Sequence, residues 1–213
     1  MLKRIHQQVK WVIFAACMAI SMGLQAGPLE TLQVATQQIL GSIEKNRAQL
    51  KKEPQYINVL VDQHLSPYLD FEEMAKWVVG RNAWQHASAG EQETFTHAFR
   101  KLVIQTYASS LNNYDHQEIV YFPLREALGN KTRVQVQSEI RQEGKAPLQV
   151  AYRLVAHDNN WRVYDILIEG VSLLKGFQAQ FADTAHQKGL GAVTQKVLSH
   201  LAKTNVGSGS NTQ

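Results

Sequence analysis

The chain has 213 residues, of which 44% are hydrophobic and 19% are charged. This composition is typical of a globular domain with a sizeable core, and it excludes a disordered or fibrous chain. Without the first 26 residues, 19 basic residues face 18 acidic ones, a net charge of +1, and no basic cluster indicates nucleic-acid binding.

The first 26 residues have the pattern of an export signal. Basic residues lead into an apolar run, Trp11 to Ile20, and Leu24-Gln25-Ala26 is a plausible cleavage site. The run is too short for an ordinary membrane span. The only cysteine, Cys17, lies inside this segment, so the exported protein from about Gly27 would need no disulfide. A retained anchor, or lipidation at Cys17, is the alternative.

The part from 28 to 114 is predicted to be helical. Apolar residues recur at three- to four-residue spacing in segments separated by Pro and Gly. Asp70 is a predicted helix cap, and Ser88 with Glu91 forms a capping box that opens the longest helix. The predicted helices are Pro28 to Gln49, Gln55 to Leu65, Phe71 to Val79 and Glu91 to Tyr114.

The part from 117 to 168 is predicted to be an antiparallel sheet. Its segments alternate between apolar and polar residues, as in strands with one dry face. The predicted strands are Gln117 to Phe122, Lys131 to Arg141, Leu148 to Ala156 and Trp161 to Ile168. In the last strand, the apolar row Tyr164, Ile166 and Ile168 is predicted to face inward, because Asp165 interrupts the opposite row.

Two closing helices, Val171 to Lys188 and Leu190 to Lys203, are predicted on either side of Gly189, and 205–213 read as a disordered tail. The predicted fold is therefore α+β, in one domain over 27–204: a four-stranded antiparallel sheet covered by a helical layer. A filled core and a ligand pocket use the same residue types, so the pattern leaves both open.

Few residues indicate catalysis. The seven histidines after the signal lack metal-ligand spacing, and no nucleophile elbow, P-loop or dinucleotide fingerprint occurs. Asp165 and Glu169 could act as a carboxylate pair, but we expect Asp165 to end a strand and bond nearby backbone, and Glu169 to precede a helix. Four aromatic residues, Trp77, Trp84, Trp161 and Tyr164, could form a stacking box, although core packing is the simpler interpretation.

Several short motifs resemble the MlaC family of periplasmic phospholipid-binding proteins, also called toluene-tolerance auxiliary proteins. They are Val61-Asp-Gln-His-Leu-Ser-Pro-Tyr-Leu-Asp-Phe71, Val79-Gly-Arg-Asn-Ala-Trp84, Thr106-Tyr-Ala108, Trp161-Arg-Val-Tyr-Asp165 and Glu169-Gly-Val-Ser172. Their order and spacing cover about residues 28 to 203. Val79 stands where leucine is common, and His64 places a polar residue in the second helix.

The resemblance implies a soluble periplasmic carrier without a cofactor, whose cargo is phospholipid. Its implied partners are an outer-membrane lipoprotein–porin complex and an inner-membrane ABC transporter of the MCE type. The acyl chains would lie in an apolar cavity between the sheet and the helices. The residues expected to line the chains are Phe99, Val103, Tyr107, Val134, Val136, Val150, Tyr152, Leu154, Tyr164 and Ile166. The alternatives are a chaperone-like interaction subunit with a solid core and a small-pocket enzyme that uses Asp165.

Overall fold

The computed structural model describes residues 26–157 and 160–208, with side chains as far as Lys203. The predicted export signal thus lies almost wholly outside the described residues, as do 209–213. Within the described part, no helix is both long enough and apolar enough to cross a membrane.

The helices form most of the first half and the end of the chain. Those of the described part are α1 (Pro28–Lys45), α2 (Arg47–Lys52), α3 (Ile57–His64), α4 (Phe71–Val79), α5 (Arg81–His86), α6 (Ala89–Tyr107) and α7 (Leu173–Ser208). Short 3-10 turns occupy Pro54–Tyr56, Ser66–Tyr68 and Ala108–Asn113.

Local capping explains where the predicted helix ends are right. Asp70 accepts a hydrogen bond from the backbone of Glu73, so α4 has its predicted bounds. The predicted capping box is confirmed at the start of α6, where the Ser88 hydroxyl accepts from the Glu91 amide and the Glu91 carboxylate from the Ser88 amide.

Other predicted helix ends are wrong. The predicted helix from Pro28 to Gln49 is divided at Asn46, whose side-chain amide donates to the Ser42 carbonyl and competes with the helical hydrogen bonds. The α-helical part of α6 ends at Tyr107, and the chain continues to Asn113 as a 3-10 turn. The predicted break at Gly189 is confirmed inside α7, because its φ of 78° and ψ of 175° are not helical.

The described strands form one antiparallel sheet in the order in which they occur along the chain. They are β1 (Glu118–Tyr121), β2 (Arg133–Arg141), β3 (Leu148–His157), β4 (Asn160–Ile168) and β5 (Val171–Ser172). The prediction of four strands omitted β5. Glu169 and Gly170, with φ of 48° and 78°, form a two-residue hairpin turn with positive φ at both positions, so the chain folds back along β4 before α7 begins at Leu173.

A β-bulge in β4 changes which side chains face inward. Tyr152 lies opposite Ile166 and Leu154 lies opposite Val163, so Tyr164 is an extra residue in the register. The predicted inward row is therefore wrong for Tyr164, which packs with the helices, and for Ile168, which is 36% exposed. Trp161 shares the face of Val163 and is buried. Because a bulge shifts the two-residue alternation by one position, strict alternation assigns the residues on one side of it to the wrong face.

The buried apolar residues form two groups. The helical core joins residues of all the described helices, chiefly α3, α4, α6 and α7, and includes the ring contacts of Phe95 with Phe99 and of Phe177 with Phe181. The sheet core covers the apolar face of the sheet and comprises Leu32 of α1 with Val136, Leu154, Trp161 and Val163. Leu69 packs against both cores, and the Asp70 amide donates to the Val163 carbonyl at 2.8 Å.

Candidate functional site

A cavity of about 180 Å³ lies where the helical core meets the sheet core at β4. Apolar side chains make up almost the whole wall, and Asp165 is the charged residue in it. The lining residues are Val61, Leu65, Leu69, Met74, Val103, Ile104, Tyr107, Ala108, Leu111, Asp165, Ile166, Leu173 and Leu174. A site of this chemistry suits hydrocarbon rather than a polar metabolite.

The end of α6 supplies one wall of the cavity. Val103 and Tyr107, four residues apart, lie on one face of the helix, with Ile104 and Ala108 beside them. The Tyr107 hydroxyl donates to the Leu173 carbonyl at 2.9 Å and so ties α6 to the first residue of α7. Burial, together with the negative charge of Asp165, raises the pKa of Tyr107, so its hydroxyl remains a neutral donor at physiological pH.

Asp165 is a buried, fully engaged carboxylate. It is 2% exposed; its Oδ2 lies 3.1 Å from an Arg153 guanidinium nitrogen, and its Oδ1 accepts from the Ser172 hydroxyl at 2.9 Å. The prediction that Asp165 ends a strand and bonds backbone is wrong, because β4 continues to Ile168 and the partners are side chains. Glu169 does not cap a helix either; its Oε1 accepts from the Gln149 amide at 2.8 Å beside the hairpin turn. Asp165 and Glu169 thus have separate structural partners.

Hydroxyl groups form a polar line across the apolar face of the sheet. Tyr121 of β1 lies opposite Ser138 of β2, and Tyr152 of β3 lies opposite Val136. The Tyr121 hydroxyl hydrogen-bonds with the Thr36 hydroxyl of α1, and its ring centroid is 6.0 Å from that of Tyr152. Burial raises the pKa of both phenols, so they remain protonated. The neighbouring hydroxyls of Ser138 and Tyr121 also influence the pKa of Tyr152.

A family comparison agrees with this architecture. The model of the MlaC protein family matches residues 33–199. The chain belongs to the MlaC family. The resemblance seen in its motifs is therefore confirmed over most of its length.

Relatives of this MlaC-family protein match it nearly end to end. The intermembrane phospholipid transport system binding protein MlaC of Haemophilus influenzae is 27% identical over 199 residues, 92% of each chain. A toluene tolerance protein of Pseudomonas putida is 25% identical over 178 residues, 84% of this chain and 81% of that one. The structure of a phospholipid-binding protein from Ralstonia solanacearum, solved with a phospholipid, is 31% identical with a TM-score of 0.73, and the match covers 84% of this chain and 98% of that one.

The predicted acyl-chain residues of the MlaC-family protein divide into groups. Val103, Tyr107 and Ile166 line the cavity. Val134, Val136, Tyr152 and Leu154 belong to the sheet core, whereas Phe99 and Tyr164 pack in the helical core. Val150 is buried opposite Ile168, near the end of β4. The structure thus brings the first three together, places six others in the two cores and leaves Val150 outside both. Contact of these residues with lipid stays a prediction.

Several residues that line the cavity were not predicted from the sequence. Leu65 and Leu69 flank the 3-10 turn at Ser66–Tyr68, and Leu173 and Leu174 begin α7. Each looks like an ordinary core residue in a helical pattern. The sequence marks only Leu65 and Leu69, because both lie within the motif Val61 to Phe71 that resembles the MlaC family.

Two further predictions concern aromatic and metal sites. Trp161 lies in the sheet core, whereas Trp84 and Trp77 pack in the helical core, so these aromatic residues do not form one stacking box. In the part of the chain that the structure describes, no group of three His, Cys, Asp or Glu side chains could hold a metal ion. His157 instead pairs with Asp70, at 2.6 Å between Nε2 and Oδ2.

Proposed function

We propose that this MlaC-family protein is a soluble periplasmic phospholipid carrier rather than an enzyme. It would take acyl chains between β4 and the helices and move lipid between an outer-membrane lipoprotein–porin complex and an inner-membrane MCE-type ABC transporter. The observation that carries the proposal is the apolar cavity at the junction of two separately packed cores. The Haemophilus relative, a binding protein of a phospholipid transport system, and the Ralstonia relative, solved with a phospholipid, support it.

The energetics of lipid transfer define what such a cavity must do. Exposure of hydrocarbon to water costs roughly 0.8 kcal/mol per CH₂, so two tails with about 30 such groups would cost on the order of 20 kcal/mol. A carrier must therefore enclose both tails along their length. The sequence has no nucleotide-binding motif, so the direction of transport would come from the partners.

The cavity must widen to hold whole acyl chains. Its 180 Å³ is smaller than the roughly 300–1,000 Å³ of typical ligand pockets. Ile166, on its wall, packs with the sheet core, whereas Val103, on the opposite wall, packs with the helical core. Separation of β4 from α6 would therefore enlarge the cavity and would mainly break contacts between the cores, such as those of Tyr164 with the helical core.

Native mass spectrometry of the exported protein, purified without detergent, tests the proposal. We expect an adduct of phospholipid mass at near-unit stoichiometry, identified after solvent extraction. Val103→Trp should remove the adduct, because the indole would fill the cavity, and Val150→Trp tests the sheet face in the same way. Val59→Trp is the matched control, since Val59 lies on α3 and is 42% exposed.

Three outcomes would contradict the proposal or parts of it. An unliganded mass with no uptake from added phospholipid vesicles would indicate a solid-core interaction subunit. Lipid retained by the folded Val103→Trp variant would place the acyl chains elsewhere. For the partners, labelled lipid should pass from the loaded protein to liposomes that contain the MCE-type transporter faster than to bare liposomes; equal rates would contradict that part of the proposal.

A further inference from the structure

The hydroxyl line of Thr36, Tyr121, Ser138 and Tyr152 is an unusual feature of the sheet core. Phenylalanine at 121 and 152 would fill the same space without burying polar atoms, which cost free energy unless they are hydrogen-bonded. Three of the four hydroxyls have hydrogen-bond partners within the protein: Thr36 and Tyr121 bond each other, and Ser138 donates to the Val150 carbonyl at 3.4 Å. The line therefore introduces oriented polar atoms into a surface that is otherwise built from apolar side chains.

The hydroxyl line is adjacent to the cavity. Tyr152 lies directly opposite Ile166 in the register of β3 and β4, and Ile166 lines the cavity. Side chains directly opposite each other on antiparallel strands have Cβ atoms about 5 Å apart. Leu69 also lines the cavity and packs against the sheet core. A cavity that widens along β4 would therefore reach Tyr152 before the other hydroxyls of the line.

The chemistry of the line limits what it can bind. Hydroxyl hydrogens rotate, and each oxygen can both donate and accept, so a chain of hydroxyls can reorient and offer a hydrogen to an incoming acceptor. Both phenols stay neutral, so they suit an uncharged acceptor better than a phosphate, which prefers a cation or several backbone amides. Within a diacyl phospholipid, the uncharged acceptors are the ester carbonyls that join each chain to glycerol.

We propose that the hydroxyls of Tyr152 and Tyr121, the latter held by Thr36, bind the ester carbonyls of a diacyl phospholipid and fix its depth between sheet and helices. This inference rests on the proposed carrier function. The carrier selects ester-linked lipids over ether-linked ones, because ether chains have no carbonyl oxygen. The head group then lies beyond the hydroxyl line and takes little part in this selection.

A competition between two lipids tests the inference. The exported protein is incubated with vesicles that contain equal amounts of dioleoyl phosphatidylglycerol and its ether-linked counterpart of the same chain length. The captured lipid is extracted, and the ester-to-ether ratio is measured by mass spectrometry. One hydrogen bond to a neutral acceptor predicts an enrichment of the ester of about 3- to 10-fold. Tyr152→Phe should return the ratio to near one, and Tyr121→Phe or Thr36→Val should lower it in part.

The controls separate binding from structural support. Tyr56→Phe removes a hydroxyl from a tyrosine that packs against the helical core and should leave the ratio as in the wild type. If the hydroxyl line only holds α1 against the sheet, Tyr152→Phe would change stability but not the ratio. A wild-type ratio of one, with lipid captured, would overturn the inference and leave the carrier intact; no captured lipid of either kind would overturn the carrier function itself. If a phenylalanine variant does not fold, the ester-to-ether ratios of the wild type and of Thr36→Val still test the inference.

Discussion

Removal of the arginine that pairs with the buried Asp165 should strongly destabilise the fold. The Arg153 side chain is 34% exposed, whereas that of Asp165 is 1% exposed, and 3.1 Å separates their charged atoms. Arg153→Met keeps the aliphatic stem but leaves the carboxylate with Ser172 as its remaining side-chain partner. Asp165 cannot turn away from the wall, because it lies inside β4 and is itself paired with Arg153 in the register of β3 and β4.

The structure sets the size of this effect. Loss of one partner from a fully buried ion pair costs about 3–5 kcal/mol. Arg153 is partly exposed, so its charge is already screened and water can approach the vacated position, which reduces the expected loss to about 2–3 kcal/mol. With an m-value of roughly 2 kcal/mol/M, the midpoint of urea unfolding, followed by circular dichroism, should fall by about 1 M.

A surface pair and a double variant complete the experiment. Arg141→Met removes an arginine that pairs with Glu139 and is 46% exposed, and should cost no more than about 0.5 kcal/mol. Replacement of both Arg153 and Asp165 by apolar residues should recover most of the loss, since no unpaired charge remains. If Arg153→Met unfolds at the same urea concentration as Arg141→Met, or if the double variant is less stable than Arg153→Met, our account of the pair is wrong.

Two further predictions concern the backbone and pH. Gly189→Ala should destabilise the folded protein by about 1–3 kcal/mol, because φ of 78° with ψ of 175° is open mainly to glycine. Gly191→Ala is the control and should stabilise the fold slightly, since its added Cβ would meet only Glu91, at 3.7 Å. Equal shifts in the thermal unfolding midpoints of the two variants would contradict this. The raised pKa values of Tyr121 and Tyr152 mean that the folded state keeps protons that the unfolded state releases above about pH 10. The contribution of these tyrosines to stability should therefore be constant below pH 10 and decline above it by up to about 1.4 kcal/mol per pH unit for each tyrosine. Tyr152→Phe should reduce this slope in urea unfolding between about pH 9 and 11.

Where a structural feature depends on a few neighbouring residues, the sequence predicted it. The cap at Asp70, the capping box at Ser88 and the break at Gly189 each follow from one side chain or one glycine, and all three are confirmed. The order of the first four strands also followed, because each strand alternates and short turns join most of them. These features require no knowledge of distant contacts.

Features that depend on contacts between distant residues were missed. The bulge at Tyr164 depends on how β4 hydrogen-bonds to β3. The apolar row in the sequence would look the same whether or not the bulge forms. Likewise, Asp165 looks like a strand end until Arg153, twelve residues away, is placed beside it. The cavity itself combines segments from α3, α6, β4 and α7, so no local pattern could mark it.

The division of the interior into two cores determines where the molecule can deform. Motion between β4 and α6 would mainly break contacts between the cores, and near the cavity the connections across this boundary include the backbone hydrogen bond from Asp70 to Val163. The molecule is thus expected to deform mainly along the boundary between the two cores, while the packing within each core stays largely unchanged. If the protein is the carrier proposed above, it could change its internal volume with the length of its lipid without partial unfolding. Amide hydrogen exchange at Phe99 and Leu154 should then be equally slow whether the bound lipid is long or short.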